Sequence, residues 1–103
     1  MDTCKLDNIR SDIDRINTQI VSLLIERMNK VDTVAEYKAE HGLPVIVPER
    51  EKSILEKVSL LAGNEYSEDV LPVFRAIFAA SCHREERKIK QKEGSSTFCD
   101  SIE

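Results

Sequence analysis

The chain has 103 residues, 41% apolar and 33% charged, with two Tyr, three Phe, no Trp and only three Gly. A formal charge of −4 carries no basic excess of the kind a nucleic-acid binder needs, and no stretch approaches the roughly 20 apolar residues of a membrane span. The length bounds the chain to one domain with a modest core, which a partner chain would help to stabilise, and its Ala, Leu, Ile, Glu, Lys and Arg content favours helix over strand.

From Leu6 the apolar residues fall at positions 6, 9, 13, 16, 20, 23/24, 28, 31 and 34, a 3–4 alternation that predicts a helix. Nothing breaks the pattern until His41-Gly42-Leu43-Pro44, where Gly and Pro end it. A helix of roughly 35 residues is about 50 Å long, whereas a compact domain of about 100 residues has a radius of gyration near 13 Å. Its apolar stripe therefore overhangs any fold the chain makes alone, which predicts an intertwined helical homodimer.

Pro44 to Val47 reads as a short extended link. Pro48 suits the first turn of a second helix, with Glu49 and Glu51 near its positive end. That helix carries Ile54, Leu55, Val58 and Leu61 and is expected to stop at Gly63-Asn64. Ser67-Glu68-Asp69 reads as the N-cap and first acidic turn of a third helix bearing Leu71, Phe74, Ile77 and Phe78. Pro72 is placed in that first turn, where it is tolerated. The basic stretch from Arg84 to Lys92 reads as the solvated end of this helix.

The expected architecture is thus all-α, with one very long N-terminal helix and two shorter ones. Residues 1–92 form the helical domain and 93–103 a disordered C-terminal tail. Cys4, Cys82 and Cys99, with His41 and His83, show no metal-ligand spacing. An odd cysteine count fits a reducing compartment. MDTCKLDNIR lacks the apolar core of a signal peptide. A cytoplasmic protein with no metal, no cofactor, no nucleic-acid partner and no membrane is expected.

The functional signal lies where the stripes turn polar. On the first helix the rhythm 20, 23, 27, 31, 34, 38 passes through Arg27 and Lys38. Eleven residues bring these two within about 20° of one face and about 16 Å apart along the axis. Glu51 occupies the stripe of Ile54, Val58 and Leu61, while Ser81 and Glu85 continue the line of Phe74 and Phe78. Any one of the five reads equally well as a boundary residue or an ion pair setting helix register. Taken together, they line a bundle core with two cations, two carboxylates and a hydroxyl. Buried charge must be paired or bound, and the cations favour a small polyanion. Arg10 lies 17 residues before Arg27, about 25 Å along the helix, so both cannot touch one small molecule from the same chain. Arg10 is either an i,i+4 surface partner of Asp14 or a residue lent to the partner chain's site.

At these residues the sequence resembles the all-helical chorismate mutases from about Leu6 to Arg87. The resemblance is carried in order by IRSDIDRIN, LLIERM, VAEYKAEHGLPV, PEREKSIL and FRAIFAAS. It implies a dimer sharing the long first helix and a cofactor-free [3,3] rearrangement of chorismate to prephenate in Phe and Tyr biosynthesis. It makes Lys38, Glu85 and Arg27 the catalytic residues. Arg10 from the partner, Arg27, Lys38, Arg50, Glu51, Ser81 and Glu85 become the substrate-binding set. Lys38 is expected at the ether oxygen and a carboxylate, Glu51 at the substrate hydroxyl, and Glu85 opposite Lys38 at the ether oxygen.

Two positions depart from the family pattern. Glu85 stands where many members carry Gln, and a carboxylate donates a hydrogen bond only when protonated, so activity is expected to rise toward mildly acidic pH. Val47 stands where many members carry Asp near the ring hydroxyl. That departure keeps aminodeoxychorismate mutase and isochorismate-pyruvate lyase as alternatives, and the two departures together keep a non-catalytic helical dimer.

Overall fold

The computed structural model describes residues 3–93, and everything described is helical apart from the link at 42–47. Helix α1 runs Thr3–His41 and α2 runs Pro48–Glu93, with 39 and 46 residues. Of the tail expected over 93–103, Glu93 is the last residue of α2. Residues 94–103, Cys99 among them, lie outside the described residues.

The end of α1 follows the glycine signal. Gly42 takes φ 64°, and the Leu43 N–H donates to the Lys38 carbonyl at 2.9 Å. That bond spans the last turn as in a Schellman cap, with Gly in the left-handed position that other residues resist. Pro44 then prevents any continuation. Lys38 and His41 sit in the last turn, where cations oppose the negative end of the helix dipole. The His41 ring stacks on Tyr37 at a centroid distance of 4.0 Å.

Helix α2 begins as the sequence predicts, on Pro48 with Glu49 and Glu51 in the first turn. The Val47 carbonyl accepts from the N–H groups of Arg50 and Glu51 at 3.0 and 3.1 Å, so Val47 holds the N-cap position. The second and third helices expected from the sequence follow one another without a loop: the run Pro48–Glu93 is broken at Gly63, where the stop is expected, and the third helix starts at Asn64 rather than at Ser67, a correction with a local cause. Gly63 alone departs from helical geometry, at φ 80° and ψ 171°, a region open essentially to glycine. One residue makes the kink, and the chain is helical again from Asn64. Asn64-Glu65-Tyr66-Ser67 contains neither Gly nor Pro, so nothing opposes helix there and Ser67 does not serve as a cap. Pro72 consequently lies inside the helix rather than in a first turn, and the Glu68 carbonyl loses its i+4 donor.

The chain divides into two compact units, one ending at Lys30 and the other beginning at Val31. In the first, the predicted apolar row lies exposed: Ile9, Ile13, Ile16, Ile20 and Leu23 show between 43% and 64% of their surface. The second holds the buried residues: Val31, Ala35, Val58 and Phe78, with Ser81 and Glu85 among them. Phe74 meets Phe78 edge to face at 6.4 Å, an arrangement aromatic pairs prefer. Among the described residues, no helix is long and apolar enough to cross a membrane, and no group of His, Cys, Asp and Glu is placed to hold a metal ion.

Candidate active site

Two polar side chains break the apolar core of the second unit. Ser81 and Glu85 lie one turn apart on α2, on the face carrying Phe78 and Phe74, and only 6% and 7% of their surfaces are exposed. The line that the sequence showed turning polar is therefore buried. A buried carboxylate needs a partner, and Glu85 has one. The Lys38 ammonium stands 2.9 Å from Glu85 Oε1 and donates a second bond, at 2.7 Å, to the Val45 carbonyl. Lys38 reaches this point because the Gly42 cap ends α1 just beyond it and folds the link back across its side chain. An ammonium has three donors, and these two bonds use two of them.

Glu51, half-buried in the first turn of α2, is reached by the Cys82 thiol, which donates to Glu51 Oε2 at 3.9 Å. Burial pushes the Cys82 thiol up from its ordinary value, the negative charges of Glu51 and then Glu85 add to the rise, and Lys38 opposes it. Cys82 thus lies in the field of three of the predicted site residues and stays a protonated donor. No pattern in the sequence points to Cys82 as a site residue. Its only signal was its place beside Ser81 in the line of α2.

A second cluster flanks the first. Arg84 grips Asp32 with both arms of its guanidinium, Nε to Oδ1 at 2.6 Å and the terminal nitrogen to Oδ2 at 2.8 Å. Lys88 stands 3.7 Å from the same Oδ2. The hydrogen bond from Arg84 holds the Asp32 carboxyl below the usual carboxylate range, against the opposing effect of burial. Asp32 in turn raises the Arg84 guanidinium. Arg84 and Lys88 of the expected solvated basic end are thus tied to Asp32, while Glu86 and Arg87 are exposed. Composition hid the pairing, because Arg84 and its partner are 52 residues apart.

The remaining predicted residues are placed as follows. Arg50, beside Glu51 in the first turn of α2, is exposed, as is His83. Arg10 is exposed and Arg27 half-buried, both on α1 in the first unit. Val47 is half-buried at the α2 N-cap. The structure therefore brings Lys38, Glu85, Ser81 and Glu51 to one region of the second unit. That region carries one cation and two carboxylates, so a polyanionic ligand would need its charge matched by the arginines.

The family model described as chorismate mutase type II matches residues 9–86. A bifunctional chorismate mutase/prephenate dehydratase of Aquifex aeolicus is 37% identical over 91 residues, covering 84% of this chain and 25% of that protein. A T-protein of Haemophilus influenzae is 35% identical over 74 residues, or 67% of this chain and 20% of the relative. A chorismate mutase of Methanocaldococcus jannaschii is 42% identical over 57 residues, or 55% of this chain and 58% of the relative. The chain thus spans between a fifth and three-fifths of the length of these three relatives.

Proposed function

This chain belongs to the chorismate mutase type II family, and we propose that it catalyses the [3,3] rearrangement of chorismate to prephenate, a step toward Phe and Tyr, without a cofactor. The observation that carries the reading is the buried pair of Lys38 and Glu85, 2.9 Å apart. A rearrangement of this kind uses no nucleophile and no external proton. The protein must hold a flexible dianion in a chair-like conformer and stabilise negative charge growing on the ether oxygen as the C–O bond breaks. Fixed donors that meet the transition state better than the ground state do both.

In this reading, the third N–H of Lys38 goes to the ether oxygen. Glu85 faces that oxygen from the other side: with a proton on Oε2 it donates, while Oε1 keeps its bond to Lys38. Glu51 receives the ring hydroxyl, its carboxylate held by Cys82. Ser81, Arg50 and Arg27 complete the carboxylate contacts, the roles that the family resemblance gives them. The protein works as a homodimer in the cytoplasm. Two features support the dimer: the exposed apolar row of the first unit, from Ile9 to Leu23, and the spacing of Arg10 and Arg27, about 25 Å apart on one helix. Arg10 of the partner subunit then completes each site.

The test is the rate of chorismate consumption between about pH 4.5 and 8, with prephenate identified as product, for the unaltered chain and for Glu85→Gln. Saturable conversion that strengthens toward acid, and a flatter profile in the variant, are expected. An acid preference that persists in Glu85→Gln removes the donor role of Glu85. Turnover of aminodeoxychorismate or isochorismate in place of chorismate replaces the reading.

A further inference from the structure

Glu85 follows Arg84 directly, and side chains of adjacent helical residues point about 100° apart. Arg84 and Lys88 on one side of this turn of α2 meet Asp32 of α1, while Glu85 on the other side meets Lys38 of the same helix. The two pairs thus restrain the rotation of α2 about its own axis from two directions. At a side-chain radius of about 5–6 Å, a rotation of 20° carries the Glu85 carboxylate about 2 Å, enough to break a bond of 2.9 Å. Lys38 cannot follow freely, because its ammonium is also tied to the Val45 carbonyl. The contact with Asp32 is a two-bond fork, and such a fork fixes direction as well as distance.

We propose that Asp32, Arg84 and Lys88 form a positioning clamp that sets the rotation of α2 and so holds Glu85 in register with Lys38, a role that rests on the functional reading above. None of the three is assigned to the substrate. They act through Glu85, and misplacement of a reacting group by about 1 Å can cost on the order of 100-fold in rate.

The test compares Asp32→Asn, Arg84→Lys and Asp32→Glu by steady-state kinetics with chorismate, at a temperature where circular dichroism shows each variant fully folded. Asp32→Asn removes the charged acceptor, Arg84→Lys keeps the charge and removes the fork, and Asp32→Glu keeps a forked acceptor. The expected result is a kcat roughly 10-fold lower or more in the first two, with KM within about twofold, and most of kcat retained in Asp32→Glu. Lowered melting temperatures with kcat unchanged mark a merely structural ion pair and overturn the proposal. A change confined to KM does so too, as does an Asp32→Glu loss as deep as that of Asp32→Asn. An unaltered chain that makes no prephenate defeats the functional reading itself, and the clamp's role falls with it.

Discussion

Replacing Lys38 with Met removes the cation that makes a buried carboxylate tolerable. Glu85 is 7% exposed, and the side chains of the pair are 14% and 9% exposed, so water reaches the bereaved carboxylate poorly. Breaking one side of a buried pair costs about 3–5 kcal/mol, and the slight exposure here argues for the lower end, about 3 kcal/mol. The lost bond to the Val45 carbonyl adds roughly 1 kcal/mol. In a domain of this size each kcal/mol shifts the melting temperature by about 4–8 °C, so Lys38→Met, at about 4 kcal/mol, should melt at least about 16 °C lower. The double variant Lys38→Met with Glu85→Gln has no orphaned charge, and should recover all but roughly 1 kcal/mol. Urea and thermal unfolding by circular dichroism, at one fixed protein concentration because association would contribute, make the comparison. A single variant losing less than about 1 kcal/mol, or a double variant no better than the single, refutes the reasoning.

Gly63→Ala should destabilise by roughly 1–3 kcal/mol on backbone strain alone: the residue sits at φ 80°, and an added Cβ would meet nothing within 4 Å. Urea midpoints measure this, and a neutral substitution would remove the kink from the account. Val47→Asp gives α2 the side-chain cap that Val47 lacks, so stability should rise by roughly 0.5–1 kcal/mol; an unchanged urea midpoint would count against the N-cap assignment. Asp32 has a carboxyl pKa lowered in the folded state, so its pairing contributes stability above the ordinary carboxylate value near 4 and loses it as pH falls through the lower folded value. Acid unfolding curves of Asp32→Asn should therefore lose that segment of pH dependence, and a curve identical to that of the unaltered chain contradicts it. The Cys82 thiol, pushed up by burial and by Glu51, should alkylate slowly near pH 8 and faster in Glu51→Gln, as followed by mass spectrometry; equal rates would deny the influence of Glu51.

Local signals that act within a few residues were legible in the sequence. The 3–4 spacing predicted α1, and the Gly42–Pro44 stop ends it within one residue of His41. Pro48 with Glu49 and Glu51 marked the start of α2. Ser81 and Glu85 were found because a polar residue on an apolar line is a local anomaly, and both are buried. The cap at Ser67 failed because a cap preference of about 1 kcal/mol does not stop a helix whose preceding residues also favour helix. The clamp was illegible for a different reason. Arg84 and Asp32 look like surface charges in their own neighbourhoods, and only tertiary packing joins residues 52 apart. Cys82 likewise gained meaning only when Glu51 was brought to it from the other end of α2.

The measurement that bears most directly on the account is the initial rate of prephenate formation from chorismate by the unaltered chain and by Lys38→Ala, side by side. Removing one strategically placed donor from a charge-stabilising site costs about 100- to 1,000-fold. Saturable turnover by the first and a loss of at least that size in the second are expected, with retained structure verified by circular dichroism. Turnover by Lys38→Ala at a rate close to that of the unaltered chain would contradict the account.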